Sequence, residues 1–421
     1  MVLSERNSDR LTTALCRMRG AALKFGQLLS IQDEHVIPKD SPLRQVIDRV
    51  REEAEQMPVE QLRPTLIAAL GRDWRSKFAE FDEEPMAAAS IGQVHRALAH
   101  DGMELAVKIQ YPGVADSIDS DIATLGTFVG PFAPRGLFLS TALEELRIAM
   151  KMETDYETEA RLTDQMRALL ERDPELRVPR VRHELSSTRV LATELLPGVP
   201  FDQVAGMSQE VRNKVARAMM RLTLRELFEF NLMQTDPNWS NFLYDEKEGT
   251  LNLIDFGATM TYTHEECYQY ARLVKAAVDK DRETLIEVSQ LMGFLTGKES
   301  PEYLQAHVAA AFITGEPFAA EEYDFGACRM TERNSEHLAT MLHGRLTPPP
   351  RFVYTLHRKL SGAFLSCMRL EARIPCRDIF LEHLALIERK HADLAAGAAP
   401  EAARQDHATS TGPQVVAGVG A

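Results

Sequence analysis

The sequence predicts an α+β protein, with strands grouped in its first half and a mainly helical second half. Three observations carry that expectation. Around Phe78 the periodicity changes, and an alanine-rich loop leads into the strand-like run Glu104-Leu-Ala-Val-Lys108-Ile-Gln110. Phe242-Leu-Tyr244, the turn Glu246-Lys-Glu-Gly249 and the return Leu251 to Ile254 read as a hairpin. Beyond Gly257 apolar residues recur mainly at helical spacing.

Composition fits that picture. The chain has 421 residues, of which 44% are hydrophobic and 26% charged, ordinary values for a globular protein with a real core. The net charge of −14 disfavours a broad nucleic-acid surface, and no nucleic acid is expected as a partner. Five cysteines, at 16, 267, 328, 367 and 376, form no C-x-x-C, which argues against a zinc site and favours a reducing compartment. No apolar run reaches the ~18 residues that span a bilayer, and no signal-peptide pattern stands at the N-terminus.

Residues 9–32 read as an amphipathic helix, with Leu11, Leu15, Met18, Ala22, Phe25 and Leu29 at spacings of three and four. Lys24 and Gln27 share one face of it, in Lys24-Phe-Gly26-Gln27. In isolation such a pair is an exposed helix face. Pro38 and Pro42 end the run, and residues 43–71 form a second helical region punctuated by Pro58 and Pro64. Residues 1–75 are therefore expected as an N-terminal helical extension.

The next unit, residues 76–196, carries the run Ala87-Ala88-Ala89-Ser90-Ile91-Gly92-Gln93-Val94-His95. It fits the frame of the protein-kinase nucleotide loop G-x-G-x-x-G-x-V, with alanines at the first two glycine positions and Gly92 and Val94 matching. Lys108 then falls where the phosphate-binding lysine of a V-A-I-K strand stands. Alanine resists the left-handed conformations that glycine adopts, so the loop should be stiff and its nucleotide preference altered. Residues 141–170 read as one long helix. Its Glu159 is the natural ion-pair partner of Lys108, and Glu153 and Asp155 are surplus carboxylates, for which Lys24 is the candidate cation. The apolar strand ending Glu194-Leu195-Leu196-Pro-Gly reads as the hinge that meets adenine, although any strand before Pro-Gly looks the same.

Residues 197–393 hold the chemistry. Ala216, Met220, Leu224, Leu227 and Phe228 form a buried helical stripe that is core. The loop that follows carries Gln234-Thr-Asp236 and, five positions on, Asn241; the hairpin then brings Asp255 of Asp255-Phe-Gly257 back beside Asn241. An amide oxygen and a carboxylate suit Mg²⁺, which prefers oxygen ligands and shares phosphate oxygens, and Asp236 is left to accept a proton. This is the layout of a kinase catalytic loop and DFG, with Gln-Thr-Asp where His-Arg-Asp usually stands. Helices are expected at 268–292 and 352–373. No A-P-E stands close after the Asp255-Phe-Gly257 motif, so no peptide platform is evident. A second Asp324-Phe-Gly326 lacks the preceding strand and is rejected as a metal ligand. From Leu394 the chain reads as a disordered tail, residues 394–421.

Taken together, Lys24-x-Gly26-Gln27, the alanine loop, Glu153-x-Asp155, Gln234-Thr-Asp236 and Asp255-Phe-Gly257 resemble the UbiB family of atypical kinase-like proteins, over roughly residues 10–390. The resemblance implies a two-lobed protein-kinase-like fold whose N-terminal extension lies over the active site, with Lys24 and Gln27 meeting Glu153 and Asp155 as a regulatory lid. It implies an ATPase that binds ATP or ADP with Mg²⁺ and supports ubiquinone (coenzyme Q) biosynthesis. It also implies a mitochondrial home on the matrix face of the inner membrane, with a bacterial cytoplasm as the alternative because no targeting segment is visible. Carried over by position, Lys108 with Glu159 orients phosphates, Asp236 is the catalytic carboxylate, and Asn241 and Asp255 hold Mg²⁺. Ala87, Ala88, Ala89, Ser90, Ile91, Gly92, Val94, Lys108, Glu194 and Leu196 line the nucleotide. Expected partners are an isoprenoid quinone-type lipid or membrane surface, ubiquinone biosynthesis proteins and a second copy of the chain. Two other readings stay open: a phosphotransferase acting on a small molecule or protein, and a non-catalytic nucleotide-sensing scaffold that binds lipid.

Overall fold

The computed structural model describes residues 57–89, 91–130, 138–236 and 238–396. Lys24, Gln27, Ser90 and most of the expected tail lie outside them.

The smaller lobe begins with α1 (Val59–Leu70), which places Leu62, Leu66 and Leu70 in the core at helical spacing. Pro58 precedes this helix, but Pro64 lies inside it and does not end it. Then come β1 (Glu80–Ala88), β2 (Gly92–Leu98) and β3 (Glu104–Gln110). After β3 the chain inserts α2 (Val114–Val129) and α3 (Leu139–Glu153) before α4 (Tyr156–Leu170). The expected single helix over 141–170 is thus two. Asp155 breaks it, because its carboxylate accepts from the Thr158 N–H at 3.0 Å and the Thr158 hydroxyl at 2.7 Å, a cap that starts a new helix.

β4 (Leu176–Arg177) and β5 (Val190–Glu194) follow, and β5 completes the antiparallel sheet β1-β2-β3-β5. Register pairs Val94 with Lys108 and Lys108 with Leu191. Along β3, Leu105, Val107 and Ile109 are fully buried against Leu62, Leu66 and Phe81, while Ala106 and Lys108 on the other face are half-buried. The period of two in a strand thus turns the lysine away from the apolar layer. Each buried Leu, Val or Ile contributes about 1.5–3 kcal/mol relative to exposure.

The chain crosses through β6 (Val199–Pro200) into the larger lobe, where α5 (Gln209–Arg225) runs into a π-helical turn, Glu226–Phe230. Ala216, Met220, Leu224, Leu227 and Phe228 are all buried there, as their spacing predicts. β7 (Leu232–Gln234), the hairpin β8 (Phe242–Asp245) and β9 (Thr250–Leu253), and β10 (Thr259–Thr261) carry the segment from Gln234 to Gly257. Phe242 pairs with Leu253 and Asp245 with Thr250, and β7 pairs with β10.

The helices α6 (His264–Val278) and α7 (Arg282–Leu291) replace the single helix expected over 268–292. Lys280 takes a left-handed conformation (φ 57°), and Asp281 caps the second helix on the Thr284 N–H. After α8 (Pro301–Ala319) and β11 (Tyr323–Asp324) come α9 (Met330–Gly344), α10 (Arg351–Arg369), β12 (Arg373–Ile374) and α11 (Cys376–Ala395). α10 ends before residue 373 because the chain turns into β12, which pairs with β11. This explains the second Asp-Phe-Gly: Asp324 accepts from the Gly326 and Ala327 N–H groups and pairs with Arg373 at 2.9 Å.

Candidate active site

Lys108 is the centre of the site. Its Nζ lies 3.1 and 3.2 Å from the Glu159 oxygens and 2.9 Å from Asp255 Oδ2, and it stands 5.1 Å from the centre of the Tyr156 ring. The sheet delivers the lysine, α4 the glutamate, and the end of the hairpin the aspartate. Burial would lower the lysine's pKa, but Asp255 and Glu159 outweigh it and hold the value well above the ordinary one. Burial pushes the Glu159 carboxyl above the usual range, against the pull of Lys108. Gly257 leaves room for this arrangement, since a Cβ there would sit 3.1 Å from Glu159 Oε2.

The hairpin brings Asn241 and Asp255 together. The Ile254 N–H, one residue before Asp255, donates to the Asn241 carbonyl at 3.1 Å. Asp255 is oriented by the Gly257 N–H, which donates to Oδ1 at 3.1 Å. Asn241 is buried, and among the described residues its Nδ2 has no hydrogen-bond partner. Among the described residues no three His, Cys, Asp or Glu side chains are grouped to cage a metal. An amide plus one carboxylate is nevertheless a sufficient protein share for Mg²⁺, whose other ligands are phosphate oxygens and water. The residues present fit that ion.

Asp236 is buried at the end of β7. The preceding backbone is tightly held. The Thr235 N–H and hydroxyl both donate to the Ala258 carbonyl, at 2.9 and 2.7 Å, and Arg358 Nη2 donates to the Thr235 carbonyl at 2.5 Å. Asn238 caps the Ser240 N–H, and the Trp239 indole N–H donates to Ser366 Oγ at 3.0 Å.

The β1–β2 hairpin is short. Ala87 pairs with Val94, and the Ala89 N–H donates to the Gly92 carbonyl at 2.8 Å. Ala87 and Ala88 are exposed, Ala89 and Val94 half-buried. Ile91 is turned inward with 1% exposure, and its carbonyl accepts from the Tyr111 N–H. Gly92 is required by packing: a Cβ there would lie 2.3 Å from the Ile109 carbonyl oxygen. At the expected hinge, the Glu194 carboxylate is taken by Arg177 at 2.7 Å and the Arg180 N–H, the Glu194 and Leu195 N–H groups donate to the Arg180 and Glu104 carbonyls, and Leu196 is buried.

Of the acidic pair, Glu153 is buried at the end of α3, while Asp155 is exposed and occupied as a cap. Their expected contact with Lys24 and Gln27 lies outside the described residues.

Sequence reasoning missed two groups. The first is a buried relay in Gly92-Gln93-Val94-His95. The Asp82 carbonyl only accepts, so His95 Nδ1–H donates to it (2.8 Å) and Nε2 accepts from the Gln93 amide (2.9 Å). Gln93 Oε1 in turn accepts from the Met57 N–H at 2.8 Å. The second is the set Glu226, Arg358 and Lys359, all buried. One signal pointed to it: Lys359 lies three residues after Leu356 and four before Ala363, on the apolar stripe of α10.

Comparison with known proteins agrees with this geometry. Residues 49–289, more than half of the chain, match the ABC1 atypical kinase-like domain. The chain is 49% identical over 383 residues to the rat protein named atypical kinase COQ8B, mitochondrial, covering 90% of this chain and 72% of that one. It is 41% identical over 387 residues to atypical kinase COQ8, mitochondrial, of Saccharomyces cerevisiae, covering 91% and 77%. It spans only 61% of the zebrafish COQ8B relative. A Mycobacterium tuberculosis protein solved in complex with erythromycin superposes with a TM-score of 0.60 at 26% identity, over 89% of this chain and 95% of that one. The chain belongs to the ABC1 atypical kinase-like family, the UbiB group that its sequence motifs resemble.

Proposed function

We propose that this protein is an ATP-hydrolysing atypical kinase that supports ubiquinone biosynthesis. The observation that carries the reading is Lys108 held jointly by Glu159 and Asp255, with Asn241 at the same hairpin end. ATP would lie between the lobes, its adenine against Val94 and the Glu194–Leu196 backbone and its phosphates toward Lys108 and the Ala87–Gly92 loop. Asn241 and Asp255 would hold Mg²⁺, which supplies positive charge to the phosphate oxygens. Asp236 would orient water, or an acceptor hydroxyl, and accept its proton.

Hydrolysis is favoured over transfer to a peptide acceptor because no A-P-E platform stands close after Asp255-Phe-Gly257.

The mitochondrial setting rests on the names of the relatives. The partners would be quinone-type lipid at a membrane surface, other ubiquinone biosynthesis proteins and a second copy of the chain. No helix among the described residues is long and apolar enough to cross a membrane, so contact would be peripheral for this part of the chain. The Lys24-to-Gln27 helix would cover the cleft and meet Glu153. Purified protein should release phosphate from Mg-ATP, and Asp255→Asn should abolish the release. If no phosphate appears even with membranes and quinone analogues present, the reading fails.

A further inference from the structure

In the segment Gln234-Thr235-Asp236 the threonine is held on the Ala258 carbonyl, but the glutamine side chain anchors nothing among the described residues. The Gln234 side chain is buried, and neither its Nε2 nor its Oε1 has a hydrogen-bond partner among the described residues. Anchorage comes through the backbone. The Gln234 N–H donates to Glu226 Oε1 at 3.2 Å, and the Thr235 carbonyl accepts from Arg358 Nη2 at 2.5 Å. The second Glu226 oxygen pairs with Lys359 Nζ at 2.5 Å, with side-chain exposures of 0% and 4%.

These charges are costly where they stand. Two neighbouring cations of one helix, Arg358 and Lys359, are both buried, and a buried ion pair is weak support for stability because desolvation offsets its attraction. What Glu226 and Arg358 share is their target, the backbone of the two residues directly before Asp236, and Lys359 holds Glu226. Glu226 comes from the π-helical turn after α5, and the cations come from α10, more than a hundred residues later in the chain.

We propose that Glu226, Arg358 and Lys359 are positioning residues for the Asp236 carboxylate, clamping the Gln234 N–H and the Thr235 carbonyl so that the aspartate projects in one direction. The proposal rests on the reading of Asp236 as the catalytic group. Arg358 acts on the loop directly. Lys359 acts one step away, by fixing the Glu226 carboxylate. Both Arg358 contacts, to the Thr235 carbonyl and to Thr235 Oγ1 at 3.4 Å, come from Nη2, so a lysine at 358 keeps the charge but sets the donor on a flexible stem without the planar guanidinium that fixes its direction.

A merely structural role would lower stability and leave the kinetics of folded molecules unchanged. A positioning role lowers kcat and spares nucleotide binding. The test compares the full chain with Arg358→Met, Arg358→Lys and the double variant Glu226→Gln/Lys359→Met, which removes both charges and leaves no lone buried ion. Expected is a fall in kcat for ATP hydrolysis of ~100-fold in Arg358→Met, the cost of a misplacement near 1 Å, and ~10-fold in the other two. KM and Mg-ADP affinity by calorimetry should stay within ~3-fold of the parent. Folded variants with parental kcat overturn the proposal. If Arg358→Met does not fold, Arg358→Lys and the double variant decide. If the parent chain releases no phosphate, the hydrolysis reading fails on its own. The clamp is then judged by amide hydrogen exchange at Gln234 and Thr235, which should accelerate in Arg358→Lys and stay unchanged if the proposal is wrong.

Discussion

Lys108 and Asp255 meet directly, with 2.9 Å between Nζ and Oδ2, although they lie 147 residues apart and in different lobes. With Glu159 on its other side, the ammonium neutralises two carboxylates at once. Replacing it leaves those carboxylates facing one another at a partly buried point. The Glu159 carboxyl already has its pKa raised above the unfolded value, so it favours folding only while protonated, and that contribution disappears as pH rises through the folded pKa. Without the lysine the folded pKa rises further. Lys108→Met should therefore lose about 3 kcal/mol at pH 8 and clearly less at pH 5.5. Denaturant melts at the two pH values check this; an equal loss at both would contradict it.

Gly92 and Ala89 sit on one hairpin but should respond oppositely. Gly92→Ala drives a methyl group into the Ile109 carbonyl, a backbone atom that cannot swing aside. The expected cost is about 2 kcal/mol, read as a lower melting temperature. Ala89→Gly touches no core contact, so stability should hold within ~1 kcal/mol while the ratio of ATP to ADP affinity changes. An unchanged ratio would remove the stiff-loop argument.

The relay through His95 predicts a pH effect. Burial lowers the His95 pKa, more than the Asp82 carbonyl raises it, so the folded state holds the neutral ring. Folding is then favoured in full above the unfolded pKa of ~6.5 and loses that support as pH falls below it. His95→Phe should be less stable than the parent by about 1–2 kcal/mol at pH 7.5, because Gln93 and Asp82 lose a partner. The gap should narrow at pH 5, and a gap that stays constant would exclude the relay as its source.

Asp155 allows its two roles to be separated. Its carboxyl is held below the usual range by the Thr158 hydroxyl and N–H, as a cap should be. Asp155→Ala should cost ~1 kcal/mol, whereas Asp155→Asn caps as well and should cost little. If Asp155→Asn nevertheless changes phosphate release, the negative charge has a regulatory role in addition to the cap.

Much of this site was legible in the sequence because it rests on local pattern. Likeness to a V-A-I-K strand singled out Lys108, and the turn after Asp245 set the pairing that returns Asp255 to Asn241. The helix breaks at Asp155 and Asp281 were missed because continuous helical periodicity on both sides hid single capping residues. Arg358 and Lys359 were harder still. Their partners, Thr235 and Glu226, are distant in sequence, and nothing local to α10 says which loop they reach.

The dependence of the catalytic loop on α10 bears on how far the chain can be shortened. The family match ends at residue 289, yet a protein cut there would lose Arg358, Lys359 and Ser366 together. Glu226 would be stranded as a lone buried anion, and the apolar wall formed by Val353, Leu356 and Phe364 would be gone. The smallest fragment that folds and works should therefore extend through α11, well past the recognisable kinase motifs, and deletion mapping of expressed fragments would find that limit.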